Sequence, residues 1–373
     1  MRILLICYDS PLNCSYGAGL RTNHIWKALR AVGEVSTLVM EPSLTTEVDA
    51  NKHEAEMGRI RFKKPNLPWS TPETTKIRCL VTALLKGEHF NLVVVRYLRL
   101  AMLIQPCVTA TMIVDGDDLN KLETSLKKSL LSRCLDQLKT KARRAVTRRE
   151  IAKFQHVWYV NPLDRVHFPA KSGSVLPNVT HLPPDVLPFN RSKPPTILMV
   201  GKMSYEPNTE GADFFIREVL PALRQAVSGS KLRLVGQCTP ELKARWSAVP
   251  GVEVAGFVDD LAAEYSSAWA VVAPVFSGGG TQIKVLEALS YGCGLVVSEF
   301  SADGFRPFLQ ADRHMLVAPT PQDWLKHCLT LMRSPQKAIM LGKAGRAVVA
   351  EMYSSESMAR KVKATVEQFA GTP

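Results

Sequence analysis

The chain has 373 residues, 46% of them hydrophobic and 22% charged, which suits two packed domains of roughly 100–200 residues each and excludes extended disorder. Its eight cysteines stand singly, with no C-x-x-C pair, which excludes a disulfide framework or zinc spacing and favours a reducing cytoplasm. The formal net charge of +13 lies mostly in residues 1–185 and points to phosphate-rich partners: nucleic acid, anionic lipid or a phosphorylated small molecule.

The first half alternates short aliphatic runs with longer stretches of helical spacing, which predicts a parallel sheet wrapped by helices. The predicted strands are residues 3–7, 35–39, 92–95, 112–114 and 157–160. The first run is too short for a signal-peptide core. Charged residues interrupt the most apolar stretch before about 20 apolar residues accumulate, so no transmembrane helix is predicted.

A proline-rich stretch from Pro177 to Pro195 can neither continue a helix nor fill a central strand, so it predicts the domain linker. The α/β pattern then restarts. Predicted strands are residues 196–200, 232–235, 252–255, 270–274 and 295–298, and predicted helices are residues 208–227 and 283–291. Residues 335–369 have helical spacing, with Gly342 and Gly345 as weak points. We predict domains at residues 1–185 and 194–353, then a C-terminal helix in residues 354–373.

Glycines 17 and 19 stand between the first strand and a helix predicted at residues 23–30. The segment has the outline of a dinucleotide fingerprint, but the third glycine is missing and the preceding loop is long. A plain turn before a helix is the alternative.

Acidic residues follow the strand at residues 112–114: Asp115, Asp117 and Asp118. The carboxyl edge of an open α/β sheet is where ligands bind. These carboxylates could bond sugar hydroxyls, act as a base towards an acceptor, or hold a divalent metal. A turn with acids at a helix N-terminus is the plainer alternative.

The segment from Lys127 to Lys153 carries ten Lys/Arg against Asp136 and Glu150, and it predicts a basic amphipathic helix. Such a helix could lie on an anionic membrane, or pack on its domain with a solvated outer face. Nucleic-acid binding is not expected, because no aromatic interleaving accompanies the charge.

The sharpest motif joins the predicted strand at residues 270–274 to the helix at residues 283–291 through the glycines at 278–280. A strand that enters a glycine-rich turn and then a helix presents free backbone N–H groups to phosphate. Lys284 could add a positive charge, and Glu287, on the same helix face, could accept hydrogen bonds from sugar or ribose hydroxyls. A flexible loop followed by a surface Lys–Glu pair is the alternative.

Five segments of the second half resemble the GT-B-fold retaining glycosyltransferases of family 4 (group 1). They are residues 197–208, 232–236, 251–258, 278–287 and 301–304. The resemblance implies two Rossmann-like α/β domains facing across a cleft, with the acceptor on the first, the nucleotide sugar on the second, and the C-terminal helix returning to the first. It also implies transfer of a sugar to a hydroxyl with retention of anomeric configuration.

Carried over by position, Lys202 matches the family's basic contact to the donor diphosphate, and Glu287 matches the last glutamate of its E-x7-E motif. The chain departs from the family at Gly279, where the first glutamate falls, and at Asn208, where many members have a lysine. The predicted donor-binding residues are Gly17, Gly19, Gly201, Lys202, Phe257, Val258, Gly279, Gly280, Thr281, Lys284 and Glu287. The catalytic candidates are Asp115, Asp117, Lys202 and Lys284.

The expected substrates are a nucleotide sugar and a glycan or lipid-linked acceptor of polysaccharide biosynthesis. We expect a cytoplasmic protein with a peripheral contact at the inner membrane face, no nucleic acid, and no metal or other cofactor. Two other functions stay open, a nucleotide-sugar epimerase and a non-catalytic nucleotide-sugar-binding protein. Asp115 and Asp117 also satisfy the D-x-D pattern of metal-dependent single-domain transferases, but Lys202 and Lys284 would make a metal redundant.

Overall fold

The computed structural model divides the chain into two compact units, each with its own sheet. The first unit contains the described residues up to Val179 and the C-terminal segment from Ser355, and the second contains Thr180–Ser354. The structure describes residues 1–13, 17–44, 46–49, 56–63, 72–117, 119, 130–185, 191, 194–278 and 281–370. Residues 180–185, predicted in the first domain, thus belong to the second unit.

The sheet of the first unit has eight strands. They are β1 (Arg2–Cys7), β2 (Glu34–Ser43), β3 (Glu47–Asp49), β4 (Glu56–Lys63), β5 (Leu92–Arg96), β6 (Thr111–Gly116), β7 (His156–Tyr159) and β8 (Gly173–Val175). Their order is β3-β4-β2-β1-β5-β6-β7-β8, with β3 antiparallel and the others parallel. The five predicted strands are all present, and β3, β4 and β8 were not predicted.

Helices cover both faces of this sheet, which is why β1 and β5 are buried along most of their length. The helices are α1 (Gly17–Arg30), α2 (Pro72–Leu85), α3 (Leu98–Ile104), α4 (Leu130–Ile151) and α5 (Pro162–His167), with a 3-10 turn at Gln105–Cys107. Ile3 and Leu5 pack against α1 and the C-terminal helix, whereas Leu4 and Ile6 pack against α2 and α3. This alternation follows from the two-residue period of a strand.

The second unit has a six-stranded, all-parallel sheet. Its strands are β9 (Thr196–Val200), β10 (Lys231–Val235), β11 (Val252–Gly256), β12 (Ala270–Ala273), β13 (Leu295–Val297) and β14 (Leu316–Val317), in the order β11-β10-β9-β12-β13-β14. Its helices are α6 (Glu206–Phe214), α7 (Leu220–Ala226), α8 (Pro240–Ser247), α9 (Leu261–Ser267), α10 (Ile283–Ser290), α11 (Glu299–Asp303), α12 (Pro321–Arg333) and α13 (Pro335–Met352). The predicted strands are confirmed to within one residue at each end.

Two predicted helices are each divided in the structure. The helix predicted at residues 208–227 consists of α6, a π-helical segment at Phe215–Val219 and α7. Pro221 at the start of α7 has no N–H to continue the ladder. The tail predicted at residues 335–369 is α13 and then α14 (Ser355–Ala370) in the first unit.

The two glycines of α13 serve close packing. A Cβ at Gly342 would lie 1.9 Å from the carbonyl oxygen of Gly292, and one at Gly345 would lie 2.6 Å from a methyl group of Leu289. Glycine therefore lets α13 approach α10 and the turn after it, where a larger residue would clash. The two glycines, predicted as weak points of the helix, thus allow α13 to pack closely against α10, the helix that carries Lys284.

Candidate functional site

At the carboxyl edge of the second sheet, the turns after β9 and β10 are in direct contact. The N–H of Gly201 donates to the carbonyl oxygen of Val235 at 2.9 Å. Gly236 has φ 127°, and a Cβ there would lie 2.0 Å from the carbonyl oxygen of Gly201. Glycine at 236 thus permits an approach of two backbones that no other residue allows.

Lys284 enters this edge from α10. It lies in the first turn of the helix, where the N-cap residue Gln282 makes no side-chain hydrogen bond to the backbone N–H groups. Its ammonium group donates a hydrogen bond to Oδ1 of Asn208. Burial lowers the pKa of Lys284 to about 8. Within the described part of the chain Asn208 is its one hydrogen-bond partner, so the largely buried charge faces a neutral amide.

Asn208 connects the two predicted phosphate-binding lysines. Its side chain is 3% exposed, and its amide Nδ2 donates to the carbonyl oxygen of Lys202 at 2.8 Å. The side chain of Lys202 is itself exposed, in the turn after Gly201. The sequence marked Asn208 only as a departure from the family pattern. That departure was the signal of its role, because an amide can accept from Lys284 and donate to the turn at once.

Glu287 lies one turn after Lys284 on α10 and has a different partner. The hydroxyl of Tyr265, on α9, donates to Oε2 of Glu287 at 2.8 Å. Burial raises the pKa of Glu287, and the hydrogen bond from Tyr265 opposes this shift. The alternative of a surface Lys–Glu pair is therefore wrong, since both side chains are largely buried and each bonds another residue. Sequence reasoning missed Tyr265.

The remaining donor-binding predictions lie around this edge. Phe257 follows Gly256 at the end of β11 and is 78% exposed, while Val258 packs partly against the core beside α9. Thr281 is half-buried before α10. The entrance to α10 is fixed by Ser301, whose hydroxyl donates to Gln282 at 2.7 Å. Gly279 and Gly280 lie outside the described residues.

In the first unit, α1 begins at Gly17 rather than after residue 22. Gly17 and Gly19 therefore belong to the first turn of the helix, and the expectation that they form the preceding loop is wrong. Ser10 and Asn13 close a backbone turn within that loop (2.9 Å).

Asp115 lies inside β6, with its carboxylate completely buried. Arg21 donates to both carboxylate oxygens, at 2.5 and 3.0 Å, and Arg96 donates to Oδ2. Burial alone would raise the pKa of Asp115, but the charges and hydrogen bonds of the two arginines hold it below its usual value. The structure thus places Asp115, predicted as a catalytic carboxylate, in a satisfied ion-pair network.

Asp117 is nearer the surface, with a side chain 14% exposed and 3.4 Å from Arg96. Asp118 lies outside the described residues. Within the described ranges, no three His, Cys, Asp or Glu side chains converge as metal ligands would.

A pocket of about 540 Å³ opens at the carboxyl ends of β1 and β2 in the first unit. Tyr8 lines it and stacks on Tyr97, with ring centroids 5.2 Å apart. Asp9, Glu41 and Arg59 line it too, and Arg59 is paired with Glu56 and Glu41. The sequence did not reveal this pocket, because three strands distant in the chain build it.

The basic helix predicted between Lys127 and Lys153 is α4, Leu130–Ile151; residues 127–129 lie outside the described part, and side chains are described from 141 onwards. Lys141, Arg143, Arg148 and Arg149 are exposed, and so are the apolar residues Ala142 and Val146. Of the helices that the structure describes, none combines the length and apolarity needed to cross a membrane.

Comparison with known proteins adds a family match and a fold match. Residues 194–334 match the family model "Glycosyl transferases group 1". No curated protein matches the chain by sequence. Three solved structures share its fold. Sucrose-phosphate synthase from Thermosynechococcus elongatus is 18% identical, with 100% of both chains covered and a TM-score of 0.71. A glycosyltransferase from Rickettsia africae (13% identity, 100% of this chain and 99% of that chain covered, TM-score 0.70) and HepE from Anabaena in complex with UDP (13% identity, 99% of this chain and 100% of that chain covered, TM-score 0.67) are similar.

Proposed function

Because residues 194–334 form a glycosyl transferases group 1 domain and both units have the Rossmann-like fold of GT-B glycosyltransferases, we propose that this chain transfers a sugar from a nucleoside-diphosphate sugar to a hydroxyl. We further propose retention of anomeric configuration, as the family resemblance implies. HepE, which shares the fold, has been solved with UDP and with UDP-glucose. A UDP-sugar is therefore the first donor to test.

The observation that carries this proposal is the buried ammonium of Lys284. Burying a charge without a counter-ion costs free energy, and the described residues offer it only the amide of Asn208. A diphosphate would supply the missing negative charge. The N–H groups at the start of α10 add donors and the favourable end of the helix dipole.

These groups also suit the chemical step. Negative charge develops on the departing diphosphate as the bond to the sugar breaks, and preorganised donors at that point lower the barrier. Lys284, Lys202 and the α10 backbone would stabilise this charge without a metal ion. Glu287 would accept hydrogen bonds from the ribose hydroxyls, and Phe257 would pack on the base.

For the acceptor, we propose the pocket of the first unit. Asp9 and Glu41 can accept hydrogen bonds from hydroxyls, and the ring of Tyr8 offers an apolar face. These groups suit a glycan, free or lipid-linked. Of the two predicted catalytic aspartates, Asp117 keeps a partly exposed side chain, whereas Asp115 would act through Arg96 rather than on the acceptor directly.

A thermal-shift screen against UDP-, GDP-, ADP- and dTDP-sugars, followed by turnover assays with glycan acceptors, tests the function. We expect one donor class to stabilise the protein and transfer of its sugar to an acceptor. Lys284→Ala should reduce the shift, whereas Lys343→Ala, which changes an exposed lysine of α13, should not. Conversion of the sugar nucleotide without acceptor would instead identify an epimerase, and binding without any turnover would identify a non-catalytic protein.

We also propose that α4 contacts an anionic membrane from the cytoplasmic side, because exposed Ala142 and Val146 accompany its exposed arginines. Neutralising Arg143, Arg148 and Arg149 to Gln should lower affinity for anionic vesicles by about fivefold per residue. A matched control neutralises three basic residues of the second unit: Lys326, Arg333 and Lys343. Equal loss in both variants, or binding that ignores salt, would exclude a specific role of α4.

A further inference from the structure

Among the described residues, the hydroxyl of Tyr265 is the one hydrogen-bond donor to the Glu287 carboxylate, and it lies 2.8 Å from Oε2. We propose that Tyr265 is a positioning residue, which holds the Glu287 carboxylate for the donor's ribose and thereby makes the site selective for ribonucleotides. This proposal rests on the proposed function, because it takes Glu287 as the ribose acceptor.

The position of the hydroxyl is fixed on several sides. Tyr265 is 1% exposed, and its ring stacks on Tyr291, with centroids 4.7 Å apart and an interplanar angle of 18°. Asp260 caps the helix that carries Tyr265 by accepting from the N–H of Ala263 at 3.0 Å. Since Tyr291 directly follows α10, the stack also connects α9 to the helix of Glu287.

This contact determines what Glu287 can offer a ligand. The bond occupies Oε2, so Oε1 keeps its lone pairs for a hydroxyl donor. Burial favours the protonated acid, whereas the Tyr265 hydroxyl favours the carboxylate. Without that hydroxyl, Glu287 would both lose its fixed rotamer and accept protons more readily. A ribose diol needs a carboxylate acceptor, and a nucleotide that lacks both hydroxyls does not.

The test uses Tyr265→Phe, which keeps the ring and its stack and removes only the hydroxyl. Tyr291→Phe is the matched control, since it keeps the same stack and leaves the Tyr265 hydroxyl on Glu287. Binding is measured for UDP and for 2′,3′-dideoxy-UDP, or for the corresponding pair of whichever nucleotide binds in the screen. Melting temperatures of all variants are compared with that of the wild type.

We expect Tyr265→Phe to weaken UDP binding by about fivefold, the usual loss for one hydrogen bond, and to leave dideoxy-UDP binding unchanged. In this variant, the loss of UDP affinity on acidification should begin at a higher pH than in the wild type. Tyr291→Phe should match the wild type with both nucleotides. In the double variant with Glu287→Gln, the loss of UDP affinity should be less than the product of the two single losses.

If Tyr265→Phe weakens the binding of UDP and of dideoxy-UDP equally, Tyr265 only supports the fold. If UDP binding is unchanged, the Tyr265 hydroxyl does not contribute to binding. Either result overturns the positioning role. Glu287→Gln separates this failure from that of the proposed function. If Glu287→Gln distinguishes UDP from dideoxy-UDP while Tyr265→Phe does not, the ribose assignment stands and only the Tyr265 proposal is lost. If Glu287→Gln does not distinguish them, the ribose assignment itself is wrong.

Discussion

The carboxyl edges of the two sheets differ in how a buried charge is compensated. In the first unit, the Asp115 carboxylate is fully enclosed and neutralised by Arg21 and Arg96. In the second unit, the largely buried ammonium of Lys284 meets only the amide of Asn208 among the described residues. The carboxyl edge of the sheet thus carries a completed ion pair in one unit and an incomplete one in the other. The incomplete pair is where a charged ligand gains most from binding.

The largest expected effect comes from breaking the completed pair. Asp115→Ala would leave two buried arginines without their carboxylate, which should lower the free energy of unfolding by about 3–5 kcal/mol. Asp117→Ala should change it by less than about 1 kcal/mol, because that side chain is nearer the surface and its contact with Arg96 is long. Denaturant unfolding of both variants measures the difference. Equal, small losses would show that Asp115 is not a structural anchor.

Breaking the incomplete pair should affect binding and not folding. Lys284→Ala should weaken donor binding by roughly 10- to 150-fold, the range for one charge-assisted phosphate contact. Lys202→Ala should cost less, because its side chain is exposed and solvent screens its charge. Calorimetric titration with the donor measures both. Wild-type affinity in Lys284→Ala would remove the donor site from α10.

The sequence predicted the sheets well and the site unevenly, for a physical reason. Aliphatic runs such as those of β1 and β9 are buried on both faces, so composition alone reveals them. Strand β4 was missed, because its buried Ile60 and Phe62 alternate with Arg59 and Arg61. Strands with one polar face carry a weaker signal in a search for apolar runs.

In the site, the glycine-rich turn singled out Lys284 and Glu287 as candidates, because their place on one face of the helix depends on local spacing. Their partners Asn208 and Tyr265 lie 76 and 22 residues away in sequence. Hydrogen bonds at such separations depend on how the helices pack, which no local pattern encodes. For the same reason Asp115 was predicted as an accessible carboxylate, although Arg21 and Arg96 enclose it.

A pH titration sharpens the comparison further. With the pKa of Lys284 at about 8, the free protein carries the charge below that pH, so donor affinity should fall up to about tenfold per pH unit above it. The stability of the free protein should change oppositely. The unfolded chain holds this proton up to the ordinary lysine pKa near 10.5, so unfolding above pH 8 must take up a proton. That uptake becomes less favourable as pH rises, and the folded state gains stability.

Two variants check that the fall of donor affinity above pH 8 is due to Lys284. Lys284→Arg stays charged throughout and should flatten the profile above pH 8. Asn208→Asp places a carboxylate beside the ammonium, so this fall should move to higher pH while affinity at neutral pH decreases. A fall that persists unchanged in Lys284→Arg would be due to another group.

The smallest expected effect is that of removing divalent metal. Asp115 and Asp117 match the D-x-D pattern of transferases in which a metal neutralises the diphosphate, and such an enzyme needs the ion for catalysis. In this protein the Asp115 carboxylate is already paired with Arg21 and Arg96, and Asp117 lies 3.4 Å from Arg96, whereas among the described residues the ammonium of Lys284 in the other unit meets only an amide. Positive charge for the diphosphate is therefore available without an ion, and we expect sugar transfer at an unchanged rate in excess EDTA. Activity lost in EDTA, restored by manganese and accompanied by loss of donor binding in Asp117→Asn, would move the donor site to the first unit.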